Sequence, residues 1–131
     1  MGRLERNQRA GRSKGSDPDG FLPLTPLSYH ILLALADQSR HGYGIIKEIE
    51  AGTGGATSPS TGALYLALQR MEGEGLVAEA SAPAGDPDDD SRRKYYRLTP
   101  LGRRVAVAES ERLAGLVALA TEKRLTGGRH G

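Results

Sequence analysis

"SPSTGALYLALQRMEGEGLV", residues 58–77, is the stretch on which the fold turns. Ser58 is a good helix cap, and Pro59 suits the first helical position, where a missing N–H costs nothing. Beyond them Leu64, Leu68 and Met71 recur at helical spacing and form one apolar seam. At about 100° per residue, Thr61, Tyr65 and Gln69 make a second face of hydroxyls and an amide beside that seam. Ser58, Ser60 and Thr61 lie near free backbone N–H groups and the positive end of the helix dipole, which are the parts of a phosphate contact. Plain helix-start hydroxyls would explain Ser60 and Thr61 equally well. Gly75 ends the helix, and Leu76 begins something new.

Upstream, "LTPL" at 24–27 places Thr25 as a cap before Pro26, and a core helix follows to about Ala36. Leu27, Ile31 and Leu35 share one face, which Leu32, Leu33 and Ala36 widen. "DQSRHGYG" interrupts the chain, and "YGIIKEIEAG" supplies a short second helix on Ile45, Ile46 and Ile49. "GTGGAT" (52–57) is a turn or loop. Downstream, "LVAEA" (76–80) and "KYYRL" (94–98) are β-compatible and flank "SAPAGDPDDDSRR", which predicts a hairpin with a long loop. Arg92, Arg93, Lys94 and Arg97 gather on its return side. A second "LTPL" (98–101) starts a last helix running to about Leu125, with Leu101, Val105 and Ala108 and then Leu113, Leu116, Val117 and Ala120 as apolar stripes. That helix overshoots a core of three short ones, so its distal half predicts a homodimer, with folding-back as the alternative.

The 131 residues allow one domain with a modest core, and the formal charge is only +2. Affinity for a polyanion must therefore come from clustering. Cysteine is absent, which removes disulfides, thiolate metal sites and thiol nucleophiles together. His30 and His41 have no partners at ligand spacing, "GTGGAT" lacks the lysine of a phosphate loop, and no base activates the serines, so the expectation is no enzyme, metal or cofactor. No apolar run reaches membrane-span length, and a cytoplasmic location follows as the expectation. Residues 1–22 carry Arg3, Arg6, Arg9, Arg12 and Lys14 among few apolar side chains and predict a disordered basic tail, as 126–131 predict a frayed end. The tail is either a solubilising leader or a DNA-contacting arm.

The fold class expected is mainly α with a small β-hairpin: a winged helix-turn-helix over 23–99, then a long dimerisation helix over 100–125. Three blocks in this order, "LTPLSYHILLALADQSRHGYGIIKEIE", "SPSTGALYLALQRMEGEGLV" and "RRKYYRLTPLGRR", resemble the PadR family of bacterial transcriptional regulators. The most specific part is P-S-x-G-x-x-Y-x-x-L-x-R at 59–70. The resemblance spans about residues 24–125 and is to the branch with a single C-terminal helix. It implies a homodimeric repressor on a palindromic double-stranded DNA operator, released by a small-molecule effector of unspecified identity. It also implies DNA contacts from Ser60, Thr61, Tyr65, Gln69 and Arg70 in the recognition helix and from Arg92, Arg93 and Lys94 in the wing. Leu66 stands where the family often has proline. With no Trp and one Phe, the chain has no counterpart to the tryptophans with which some members hold flat drugs. Asp86, Asp88, Asp89 and Asp90 beside the wing cations leave open an alternative, a winged-helix protein-interaction module without DNA binding.

Overall fold

The computed structural model describes residues 17–86 and 93–127. Arg92, the aspartates at 88–90 and most of both tails fall outside these residues. Helix α1 (Pro26–Ala34) starts on Thr25, whose hydroxyl accepts the Ser28 N–H at 3.1 Å. It ends two residues before the expected Ala36. Ile31 and Leu32 are fully buried, and Leu35 is buried just beyond the helix, whereas Leu33 points outward and is half exposed.

The segment read as an interruption contains strand β1 (Arg40–His41), which the sequence does not announce. Two residues carry no period, and only pairing with a strand more than fifty residues away makes them a strand. His41 then caps helix α2 (Gly42–Gly52), its Nδ1 accepting the Gly44 N–H at 3.0 Å. Ile45 and Ile49 bury the inner face of that helix.

Helix α3 (Thr61–Gly73) begins later than its sequence suggests. Ser60, not Ser58, is the cap, its Oγ accepting the Ala63 N–H at 3.1 Å, while the Ser58 hydroxyl donates to Glu50 on α2. Leu64, Leu68 and Met71 are fully buried, as their spacing predicts. Gly75, at φ +82°, turns the chain into β2 (Val77–Ala80). Strand β3 (Tyr95–Leu98) returns antiparallel to it, with Val77 opposite Leu98 and Ala80 opposite Tyr95. β3 also pairs with β1, His41 opposite Tyr95, so the expected hairpin is two-thirds of a sheet ordered β1-β3-β2. Both tyrosines of β3 are buried despite strand alternation. Tyr96 enters the core, while Tyr95 is covered on the other face by His41, edge-on at 5.1 Å, and by Asp86, which accepts its hydroxyl at 2.8 Å.

Helix α4 (Pro100–Glu122) is capped by Thr99, whose Oγ1 accepts the Gly102 N–H at 2.9 Å and donates to the Gly75 carbonyl at 2.6 Å. Its first half packs on the core through Leu101 and Val105. The next inward position is Glu109, which reaches residues just before α1. The Glu109 carboxylate is buried, takes a two-pronged contact from Arg112 at 2.6 and 2.9 Å, and accepts the Leu24 N–H at 3.1 Å. That bond and the packing of Phe21, Leu22 and Leu24 hold Asp17–Leu24 against α4, with a 3-10 turn at Pro18–Phe21. These apolar side chains lie just past the polar stretch, and through them residues 17–22 pack on the folded domain. The distal half of α4 carries Leu116, Val117 and Leu119, each about half exposed. No helix among the described residues is long and apolar enough to cross a membrane.

Candidate nucleic-acid interface

The burial of Leu64, Ala67, Leu68 and Met71 fixes the rotation of α3. At about 100° per residue, the direction opposite their mean falls among Gly62, Leu66, Gln69 and Gly73, which lie within an arc of about 60°. All four are exposed. Thr61 and Tyr65 sit on one flank of this outward line and Arg70 on the other. The face of Thr61, Tyr65 and Gln69 predicted from sequence is therefore the flank and edge of the exposed surface, not its centre.

The structure brings Tyr65, Arg93 and Lys94 together with His41 and Tyr43 around an open cleft of about 440 Å³. Tyr65, 43% exposed, lies directly over Gly42, where an added Cβ would stand 2.1 Å from its hydroxyl oxygen. Gly42 is thus the notch in α2 that admits the ring from α3. Arg93 Nη1 stands 2.7 Å from His41 Nε2, which carries the base of the wing onto the start of α2. Tyr43 stacks 6.3 Å from the His41 ring and is more than half exposed.

Lys94 donates to Glu72 Oε1 at 3.3 Å and lies 5.4 Å over the Tyr96 ring. The hydrogen bond to Glu72 is the chief cause that raises its pKa above the usual lysine value, so it is a cation at neutral pH. Burial raises the Tyr96 hydroxyl, which stays neutral. Asp86, the first carboxylate of the acidic loop, accepts the Tyr95 hydroxyl at 2.8 Å.

The remaining predicted residues divide. Ser60 and Thr61 are exposed at the start of α3, with open space at Gly62 beside them, and the Ser60 oxygen already serves its own helix as cap. Gln69 is exposed on the outward line. Arg70 is not brought into the cleft: its guanidinium donates to Ser28 Oγ at 2.8 Å and to Glu74 at 3.3 Å, against the start of α1. Sequence reasoning misses His41 and Tyr43. Their signal is the glycine between them, whose need becomes visible only when Tyr65 is seen lying on it.

Three helices with a three-stranded wing sheet and a long final helix define a winged helix-turn-helix protein. Residues 31–108, more than half of the chain, match the model of the transcriptional regulator PadR-like family, and the chain belongs to that family. A transcriptional regulator from Clostridium thermocellum is similar in structure, with a TM-score of 0.61 and 25% identity over 73% of this chain and 87% of that one. Bacillus subtilis PadR, solved in complex with operator DNA, shares the fold at a TM-score of 0.52 and 24% identity over 70% of this chain and 48% of that one. Among curated relatives, an uncharacterised protein of Lysinibacillus sphaericus is 36% identical over 73 residues. That match takes in 56% of this chain and 64% of the relative.

Proposed function

We propose that this chain is a homodimeric transcriptional repressor that reads a palindromic operator in the cytoplasm and is released by a small-molecule effector. The observation that carries the reading is the cleft in which Tyr65, Arg93 and Lys94 converge beside the exposed line of α3. In this reading α3 enters the major groove, which admits a helix, while Arg92, Arg93 and Lys94 of the wing track the flanking phosphates. Ser60 and Thr61 meet phosphate at the positive end of α3, and Tyr65, held over Gly42, sets the depth of entry. That B. subtilis PadR, which shares this fold, was solved in complex with operator DNA is in keeping with the reading.

The second copy covers the distal half of α4 in this reading. Leu116, Val117 and Leu119 lie there, and nearer the core an apolar groove of about 370 Å³ is lined by Leu33, Leu98 and Val107 among others. A soluble monomer rarely leaves so long an apolar strip in water. Two such copies would present their α3 helices to successive major grooves about 34 Å apart.

The test is fluorescence anisotropy of a labelled duplex from upstream of the protein's own gene, at two salt concentrations, beside sedimentation of the free protein. Binding tighter than to scrambled DNA, weakening steeply with salt, supports the reading. A monomer in sedimentation would refute the dimer. No duplex binding at either salt would favour the protein-interaction alternative.

A further inference from the structure

Leu66 is 70% exposed, among the most exposed large apolar side chains of the described residues, and it stands on the outward line of α3. Its neighbours on that line are Gly62, with nothing within 4 Å of an added Cβ, Gly73, equally open, and Gln69. Two glycines on the leading edge let the helix backbone come close to whatever it faces, and they leave Leu66 and Gln69 as the side chains projecting farthest. A leucine side chain can neither pair with phosphate nor donate to a base. The apolar feature that base edges offer in the major groove is the C5-methyl of thymine.

We propose that Leu66 is a specificity-determining residue that recognises the C5-methyl of a thymine at one position of each half-site, beside the base met by Gln69. The inference rests on the DNA-binding reading above. Leu66 and Gln69 are three residues apart, a rise of about 4.5 Å, which sets their contacts on the same or adjoining base pairs. The preference is for thymine over cytosine or uracil at that position, because only the methyl fills the space against the leucine.

The experiment uses the full chain and a duplex selected by it from a random library. Each thymine of the selected site is replaced in turn by deoxyuridine, which removes the methyl and leaves every hydrogen-bonding group in place. For the wild type, replacement at one position per half-site weakens binding about four-fold, the worth of burying one methyl. Leu66→Ala binds the thymine duplex about as weakly as the wild type binds a duplex with uracil at that position in both half-sites, and it no longer distinguishes them. Leu66→Met, which keeps an apolar reach, retains the discrimination. Leu66 is exposed, so its alanine variant melts with the wild type, and a thermal scan confirms it. Three results overturn the proposal while leaving DNA binding intact: a uracil penalty at no position, one unchanged in Leu66→Ala, or a Leu66→Ala loss equal on every duplex. Absence of selectable duplex binding by the wild type overturns the DNA-binding reading itself, and the Leu66 proposal with it.

Discussion

Gly42→Ala separates the function of Tyr65 from the stability of the fold. The added Cβ would stand 2.1 Å from the Tyr65 hydroxyl oxygen and 2.4 Å from Cζ. Ordinary contact begins near 3.5 Å, so the end of the ring must move by roughly 1.4 Å. What is struck is the far end of a side chain that is 43% exposed and can swing toward solvent, not backbone. The stability cost is therefore small. Gly42 opens α2, where alanine gains up to about 1 kcal/mol over glycine in backbone entropy, and this offsets much of the packing that Tyr65 loses. The melting temperature should move by only a few degrees. Duplex affinity should fall about ten-fold per subunit, or about 1.4 kcal/mol, when the tyrosine leaves the cleft. Anisotropy and thermal melting by circular dichroism measure the two effects on one preparation. In a Tyr65→Ala background, Gly42→Ala should cost no further affinity, because the group it displaces is gone. Wild-type affinity in Gly42→Ala, or a further loss in the double variant, would refute the argument that Gly42 acts through Tyr65.

Gly102→Ala presents the same clash distance with the opposite outcome. Its Cβ would meet the Leu76 carbonyl oxygen at 2.1 Å, and that carbonyl also accepts the Thr99 N–H at 3.1 Å, so backbone must give way. We predict a loss of about 3 kcal/mol by denaturant unfolding, the upper range for overpacking. Arg70→Ala should cost about 1 kcal/mol of stability through its bonds to Ser28 and Glu74, yet weaken duplex binding far less than Tyr65→Ala. Glu109→Gln removes the charged acceptor that joins Leu24 and Arg112 to α4, and about 1–2 kcal/mol should be lost at neutral pH. The hydrogen bond from Arg112 holds the Glu109 pKa below the usual carboxylate value in the folded state. Its stabilisation is therefore complete above the unfolded pKa and is lost as pH falls through the lower folded one. Melts of wild type and variant should converge in acid, and a gap independent of pH would exclude the charge as the cause.

What was legible in the sequence is what is local. The two "LTPL" segments announce both capped helix starts, and the period of Leu64, Leu68 and Met71 predicts the buried side of α3. What was not legible depends on partners far along the chain. β1 exists through Tyr95 and Tyr96, and Asp17–Leu24 is held by a glutamate more than eighty residues on. Ser58 reads as the cap from sequence, but its hydroxyl donates to Glu50 on the neighbouring helix, and Ser60 caps α3 instead. Arg70 carried the right charge at a plausible phase, but its length lets it reach Ser28, and that reach has no signature in the helical pattern. Gln69 is named from the sequence, whereas Leu66 has no polar group to mark it and is distinguished only by its exposure opposite the buried seam.

The same register that hid β1 makes the cleft a single unit. His41 is opposite Tyr95 in the sheet, and Arg93 and Lys94 immediately precede Tyr95, so the wing base and the start of α2 are fixed to each other by strand pairing. His41 is at once a strand residue, the cap of α2, the edge-on partner of Tyr95 and the neighbour of Arg93. Gly42 follows it and receives Tyr65 from α3. Three stretches, 41–43, 65 and 93–94, therefore line one cleft. A wing free to hinge on its own would supply phosphate contacts without orienting α3. Here the wing base and the tyrosine on the flank of α3 meet in one cleft, and under the proposed function phosphate contact by Arg93 and Lys94 is thereby related to the angle at which Leu66 and Gln69 point outward.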